Sequence, residues 1–199
     1  MSNPTPEKPK RRRLSPERRR AQLVEISLEL LLEGALEGVT VDNVASRAEV
    51  SKSLIFHYFP TIRELHLATL EAAAAVLTSQ FEAVVGQGTA AEQLAKGVDV
   101  FVAFIELQPT AFDALSAMAA TDAEFGEVFQ AVRDQAASFV AQGLGEDPGP
   151  VRRYRLASWV SFVESMVRAW IRDDAEVARA ELIAEILDVT EAFVATRGD

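Results

Sequence analysis

The 199-residue chain has no cysteine, which excludes disulfides, thiolate zinc sites and cysteine nucleophiles and fits a reducing compartment. Only His57 and His66 could offer imidazole to a metal. No apolar run reaches the roughly 18 residues of a membrane span. The basic, proline-bearing start is not followed by the apolar stretch a signal peptide requires. There is no glycine-rich phosphate loop, no metal-ligand constellation and no nucleophile with a base nearby in sequence. Neither catalysis nor a cofactor is expected, and a soluble cytoplasmic protein without membrane contact is the expectation. No segment sustains a period-two alternation, so no sheet is expected either.

What is present begins with apolar content: 49% of the chain, enough for a sizeable core. The net charge of −10 argues against a polyanionic partner, but its distribution does not. Residues 1–65 carry 11 Lys/Arg against 9 Asp/Glu, whereas residues 66–199 carry 9 against 21. Between Lys8 and Arg20 there are eight basic residues and a single acid, Glu17. A polyanion is drawn to that end and repelled by the rest. Residues 1–14 are expected to form a disordered arm, because Pro4, Pro6 and Pro9 discourage helix and Lys10, Arg11, Arg12 and Arg13 repel one another. Two readings stay open for it: a solvated tail, or an arm that follows a DNA backbone or enters a minor groove.

Beyond the arm the pattern is helical throughout. Ser15, Pro16 and Glu17 start a helix with cap, first-turn proline and an acid at the positive dipole end. Leu23, Ile26, Leu30 and Leu31 form its stripe, and it should end near Gly34. Thr40 caps a short helix to about Ala48, and Ser51 caps another through about Tyr58. Pro60 breaks the chain, and Thr61 to Glu64 is a capping box opening a long alanine-rich helix to about Val84. Gly86, Gln87 and Gly88 then separate a helix ended by Pro109, followed by helices over 110–121 and 122–143. The stretch 145–150 is the strongest loop signal. Two last helices carry Leu156, Val160, Val163, Val167 and Trp170, then Leu182, Ile186, Val189 and Phe193. An all-α fold of about nine helices is expected. Residues 15–60 would be one domain of short helices and 61–199 a larger helical domain.

Residues 40–59 are the most informative stretch. Two helices of about eight residues joined by a tight turn at Ala48 to Ser51 have helix-turn-helix dimensions. Val44, Ala45, Val50, Leu54 and Ile55 would fill the small core. Ser51, Lys52, Ser53 and His57 would face outward, where short polar side chains at a helix start can approach base edges and phosphates. Thr40, Asn43 and Arg47 could touch the backbone. His66 is expected to be structural or on the surface.

In order and spacing, residues 17–70 resemble the N-terminal domain of the tetracycline-repressor (TetR) family. The features that carry the resemblance are Thr40-Val41, Val44-Ala45, Ala48-Glu49-Val50-Ser51, Ile55-Phe56, His57-Tyr58-Phe59 and Thr61-Ile62-Arg63-Glu64-Leu65. Three positions depart from the family pattern. The turn glycine is Glu49, at a cost of about 1 kcal/mol if the position is left-handed. The phosphate-binding tyrosine is Phe56, for which Tyr58 is a substitute. The lysine opening the fourth helix is Ile62, with Arg63 adjacent. Lys10 to Arg13 and Arg18 to Arg20 are expected to compensate.

The resemblance implies a transcriptional regulator with a helix-turn-helix DNA-binding domain at 15–60 and a ligand-binding and dimerisation domain at 61–199, a repressor binding a palindromic double-stranded DNA operator and released by a small effector. It also implies an internal cavity, for which Phe101, Phe104, Phe112, Met118, Phe125, Phe129, Phe162 and Met166 are the candidates. Polar groups near them are few: Gln108, Asp113, Ser158, Ser161 and Glu164. An apolar or aromatic effector is expected. A two-fold homodimer through the last two helices is implied as well, with Trp159, Val163, Trp170, Leu182, Ile186 and Phe193 as interface candidates. The alternative is a helical protein-interaction adaptor without specific DNA binding.

Overall fold

The computed structural model describes residues 14–34, 36–143, 149–173 and 176–194. Among the described residues there are nine α-helices, one 3-10 turn and no strand. The arm 1–13 and most of the loop over 145–150 lie outside them. The helices are α1 (Pro16–Gly34), α2 (Val41–Arg47), α3 (Lys52–Tyr58), α4 (Ile62–Val84), α5 (Ala90–Leu107), α6 (Pro109–Ala119), α7 (Ala123–Gly143), α8 (Pro150–Arg172) and α9 (Arg179–Val194). The turn is Leu36–Gly38, between α1 and α2.

The helix starts follow from local chemistry. Thr40, Ser51, Thr61 and Thr89 each sit in extended backbone and accept a hydrogen bond from the amide three residues on, relieving one of the unpaired donors of a helix N-terminus. At Thr61 the expected box forms by half: the Glu64 carboxylate receives the Thr61 hydroxyl at 3.2 Å. The complete box is at Thr89, where Glu92 also takes the Thr89 amide at 2.8 Å. Gln108 links α5 to α6, with Pro109 at the first position of α6.

Two apolar clusters organise the packing. The first joins α1, α2, α3 and the start of α4 to α6 and the start of α7, around Leu23, Val44, Ile55, Phe59, Leu65, Leu115 and Phe125. The second joins the rest of α4 to α5, α7, α8 and α9, around Val102, Ile105, Trp159, Val163 and Ile186. The helix α4 therefore belongs to both. Polar groups inside are satisfied locally: Ser27 and Thr69 donate to the carbonyls of Leu23 and Leu65 one turn back, at 2.8 and 2.7 Å. Among the described residues no single helix is long and apolar enough to cross a membrane.

Candidate nucleic-acid interface and internal cavity

The α2–α3 junction has a defined geometry. Val50 N–H donates to the Ala45 carbonyl at 2.9 Å and Glu49 N–H to the Ser46 carbonyl at 3.2 Å. This is the Schellman pattern, which puts the residue after the cap in the left-handed region. Glu49 occupies it at φ 51, the one non-glycine residue with positive φ among those described. Glycine takes this conformation without the Cβ clash. Glu49→Gly is therefore expected to raise stability by up to about 1 kcal/mol, part of the relief being offset by a freer unfolded chain. Urea unfolding checks it, and a loss of stability would mean that the turn does not store this strain.

The turn sets α3 across the small core. Val44, Ala45 and Ile55 are buried, while Val50 and Leu54 are half-buried. Ser51, Lys52, Ser53, Phe56 and His57 are exposed. Ser51 caps α3 and its hydroxyl is also 2.9 Å from that of Ser53. The Lys52 ammonium pairs with Asp42 in the first turn of α2. Thr40 is likewise occupied as a cap, and Asn43 donates its side-chain amide to the Gly38 carbonyl at 2.9 Å. His57 and Tyr58 meet edge to face at 5.1 Å, with Tyr58 packed against the first cluster. His66, half-buried, donates its Nε2–H to the Val39 carbonyl at 2.8 Å, a structural contact.

Two arginines expected at the DNA face are held by carboxylates of the same chain. Arg47 makes a fork of hydrogen bonds with Glu33 of α1, at 2.8 and 2.6 Å, and this pairing keeps the Glu33 carboxyl below its ordinary pKa. Arg63 corrects the expectation more fully. Its guanidinium forks onto Asp122 at 2.6 Å twice, reaches Glu124 at 2.7 Å, and lies over the Phe125 ring. One residue beyond Ile62, it is rotated by about 100° around α4 and faces α7 rather than α3. The Asp122 carboxyl, which also receives the amides of Glu124 and Phe125, is held below its usual pKa chiefly by Arg63. A depressed carboxyl contributes stability above its unfolded pKa, and that contribution fades as pH falls from the ordinary aspartate range through the lowered value. Arg20, in the basic run, lies 5.0 Å over the Phe59 ring. Lys10, Arg11, Arg12 and Arg13 lie outside the described residues.

An apolar cavity of about 60 Å³ lies between α1, α4, α5, α6 and α7. Four candidates line it: Phe101 and Phe104 from α5, Phe112 from α6 and Phe129 from α7. The others do not. Phe125 is fully buried in the first cluster, under Arg63. Met118 packs against that same cluster. Phe162 and Met166 pack on the second, because the inward row of α8 is Leu156, Val160, Val163 and Val167. The cavity wall that composition concealed comes from α1 and α4: Leu31, Leu32, Leu70, Ala73, Ala74 and Leu77. The alanine run of α4 was the available signal, since small side chains opposite aromatics leave room. Of the polar candidates, Gln108 and Glu164 reach the lining. Gln108 donates to the Leu32 carbonyl at 2.7 Å, at the open C-terminal end of α1. Glu164 is forked by Arg133 of α7 at 3.0 and 2.8 Å, so the cavity carries no unpaired carboxylate from it. Among the described residues no cluster of three His, Cys, Asp or Glu side chains could hold a metal.

The interface candidates also need correction. Trp159, Val163, Leu182 and Ile186 are buried within their own chain, in the second cluster. The Trp159 indole N–H donates to Thr190 at 2.7 Å. Trp170 is half-buried and donates to the Val177 carbonyl at 2.8 Å. The Phe193 side chain lies outside the described ones. A helix with two apolar rows does not reveal by spacing which row faces inward. Among the described side chains, the large apolar ones left exposed on α8 and next to α9 are Val151, Tyr154 and Val177.

Residues 90–193, more than half of the chain, match the family model described as "Tetracyclin repressor-like, C-terminal domain". The chain belongs to the TetR family. Residues 23–69 match a second model of the family, "Bacterial regulatory proteins, tetR family", which covers α2 and α3 together with parts of α1 and α4. The chain is thus a TetR-family transcriptional regulator, with a helix-turn-helix DNA-binding domain, and not an enzyme. A TetR-family regulator from Streptomyces coelicolor is 27% identical and superposes with a TM-score of 0.77, over 90% of this chain and 82% of that one. Two more distant structures share the TetR fold at 13% identity. The regulator FadR of Bacillus subtilis, in complex with stearoyl-CoA, has a TM-score of 0.64 over 88% of this chain and 99% of its own. A regulator from Saccharomonospora viridis, in complex with choline, has a TM-score of 0.70 over 88% and 96%. No curated protein sequence matches this TetR-family chain significantly.

Proposed function

We propose that the protein is a cytoplasmic repressor that binds a palindromic operator as a homodimer and is released by a small, largely apolar effector held in the cavity. The observation that carries this reading is the shared wall. Leu31 and Leu32 of the DNA-binding domain line the same cavity as Phe104 and Phe129 of the body, and Gln108 bonds the last turn of α1. Any occupant touches both parts, so it has the means to favour one arrangement of them over another. Release requires that the effector bind the non-DNA arrangement better. Relatives that hold stearoyl-CoA and choline support a small-molecule ligand without identifying this one.

In this reading Ser51, Lys52, Ser53 and His57 face the bases and phosphates, and the basic arm supplies the affinity that Phe56, Ile62 and the engaged Arg63 do not. The dimer forms through the outer faces of α8 and α9, where Met166 and Trp170 border an open groove. The test is selection of bound duplex from a random pool, followed by competition with random DNA. The expected product is an inverted repeat with half-sites about one helical turn apart. Lys52→Ala is expected to weaken its binding by about 1–3 kcal/mol, roughly five- to 150-fold. A pool that yields no enriched sequence would overturn the proposal in favour of the adaptor.

A further inference from the structure

The cavity has a neighbour. A second chamber of about 30 Å³ lies beyond Phe101, whose side chain lines both. Four helices contribute to both chambers in sequence order, α8 dividing between Val163 and Glu164. Along α5, Phe104 and, just past its end, Gln108 face the outer one and Leu94, Gly97 and Val98 the inner. On α4 the same division falls between Leu77 and Phe81, and on α7 between Val132 and Ala136. The chambers are therefore in line. From Leu94 to Gln108 the α5 wall runs about 21 Å at 1.5 Å per residue.

The chemistry along this line is graded. Both polar side chains, Gln108 and Glu164, are in the outer chamber. The inner chamber is lined by apolar residues apart from the indole of Trp159, and its N–H is directed to Thr190. Gly97 keeps the inner chamber's shape: a Cβ there would stand 2.7 Å from the Phe139 ring, which stacks on Phe81. An apolar chamber of this kind stays dry and is filled best by hydrocarbon.

We propose that the two chambers are one elongated site. The effector then has a hydrogen-bonding head beside Gln108 and Glu164 and a narrow apolar tail that passes Phe101 into the inner chamber. This rests on the outer cavity being the effector site, and it adds the shape and polarity of the ligand.

The test is calorimetric titration of the full-length protein, without DNA, with straight-chain alkanols from hexanol to dodecanol. Affinity is expected to rise about fourfold per added methylene across the series. Ala136→Leu, which fills the inner chamber, should lower dodecanol affinity at least tenfold while leaving hexanol affinity within about twofold, from the loss of two or more methylene contacts. Retained hexanol binding shows that the variant is folded. Val160→Leu intrudes less from α8 and should act in the same direction if Ala136→Leu does not fold. Affinity that levels off at hexanol, an equal loss for both alkanols in the variants, or no alkanol binding would each overturn the proposal. Operator release tested in parallel separates the readings. Hexanol that releases operator without any chain-length gain overturns the elongated site and leaves the repressor reading standing. Chain-length-dependent binding without release supports the site and overturns effector control.

Discussion

Phe125→Ala is expected to lower the unfolding free energy by about 3–5 kcal/mol, a large share of the 5–15 kcal/mol typical of a folded domain. Phe125 is fully buried, in the first turn of α7, and belongs to the cluster that contains Leu23, Val44 and Ile55 of the DNA-binding domain. Truncation removes a ring and leaves a cavity at the place where reader and body share one core. It also removes the surface beneath Arg63, whose fork onto Asp122 ties the start of α4 to the start of α7. Urea unfolding at fixed protein concentration, with an unchanged m-value, measures the loss. Phe104→Ala is the contrast, because Phe104 is half-buried and lines the cavity. A Phe125→Ala protein that lost less than about 1 kcal/mol would remove this side chain from the core.

Deletion of residues 1–13 is expected to flatten the salt dependence of operator binding. Each phosphate neutralised contributes about 0.9 to the slope of log K against log salt, and the deleted segment holds Lys8, Lys10, Arg11, Arg12 and Arg13. The slope should fall by up to roughly four or five per protomer. The described surface strengthens the case for the arm. Arg47 and Arg63 are forked by carboxylates, Arg20 lies over Phe59, and even Lys52 shares its charge with Asp42. Phe56 and Ile62 present exposed apolar side chains where the family resemblance implies phosphate donors. Fluorescence anisotropy titrations across a salt series test this, and an unchanged slope would assign the affinity to residues beyond the arm, Arg18 to Arg20 of α1 included.

Much of the fold was written locally. Caps and breakers act within one turn, so Ser51, Thr61, Gly86 and Pro109 marked helix boundaries to within a residue or two. The positive φ at Glu49 meets a condition that only the family resemblance raised, since Glu49 stands where that pattern has glycine. The outward set of α3 followed from periodicity and the three-residue core. The complete capping box is formed by Thr89 and Glu92, which stand at the same diagnostic spacing as Thr61 and Glu64.

Partnership between distant segments was not legible. Arg63 and Asp122 are 59 residues apart, and no local rule connects them. Phe125 and Phe129 stand on one face of α7, yet one closes the core under the reader and the other faces the cavity. Trp159 and Val163 looked equally suited to a partner protomer and to the interior. Hydrophobic spacing specifies that a face is buried, not what buries it, because the hydrophobic effect has no direction. The helices, their order and the reading motif were thus determined by the sequence alone. Which guanidiniums were spent on the chain's own carboxylates, which aromatics surround a cavity, and that α1 forms part of its wall were decided only when the nine helices packed.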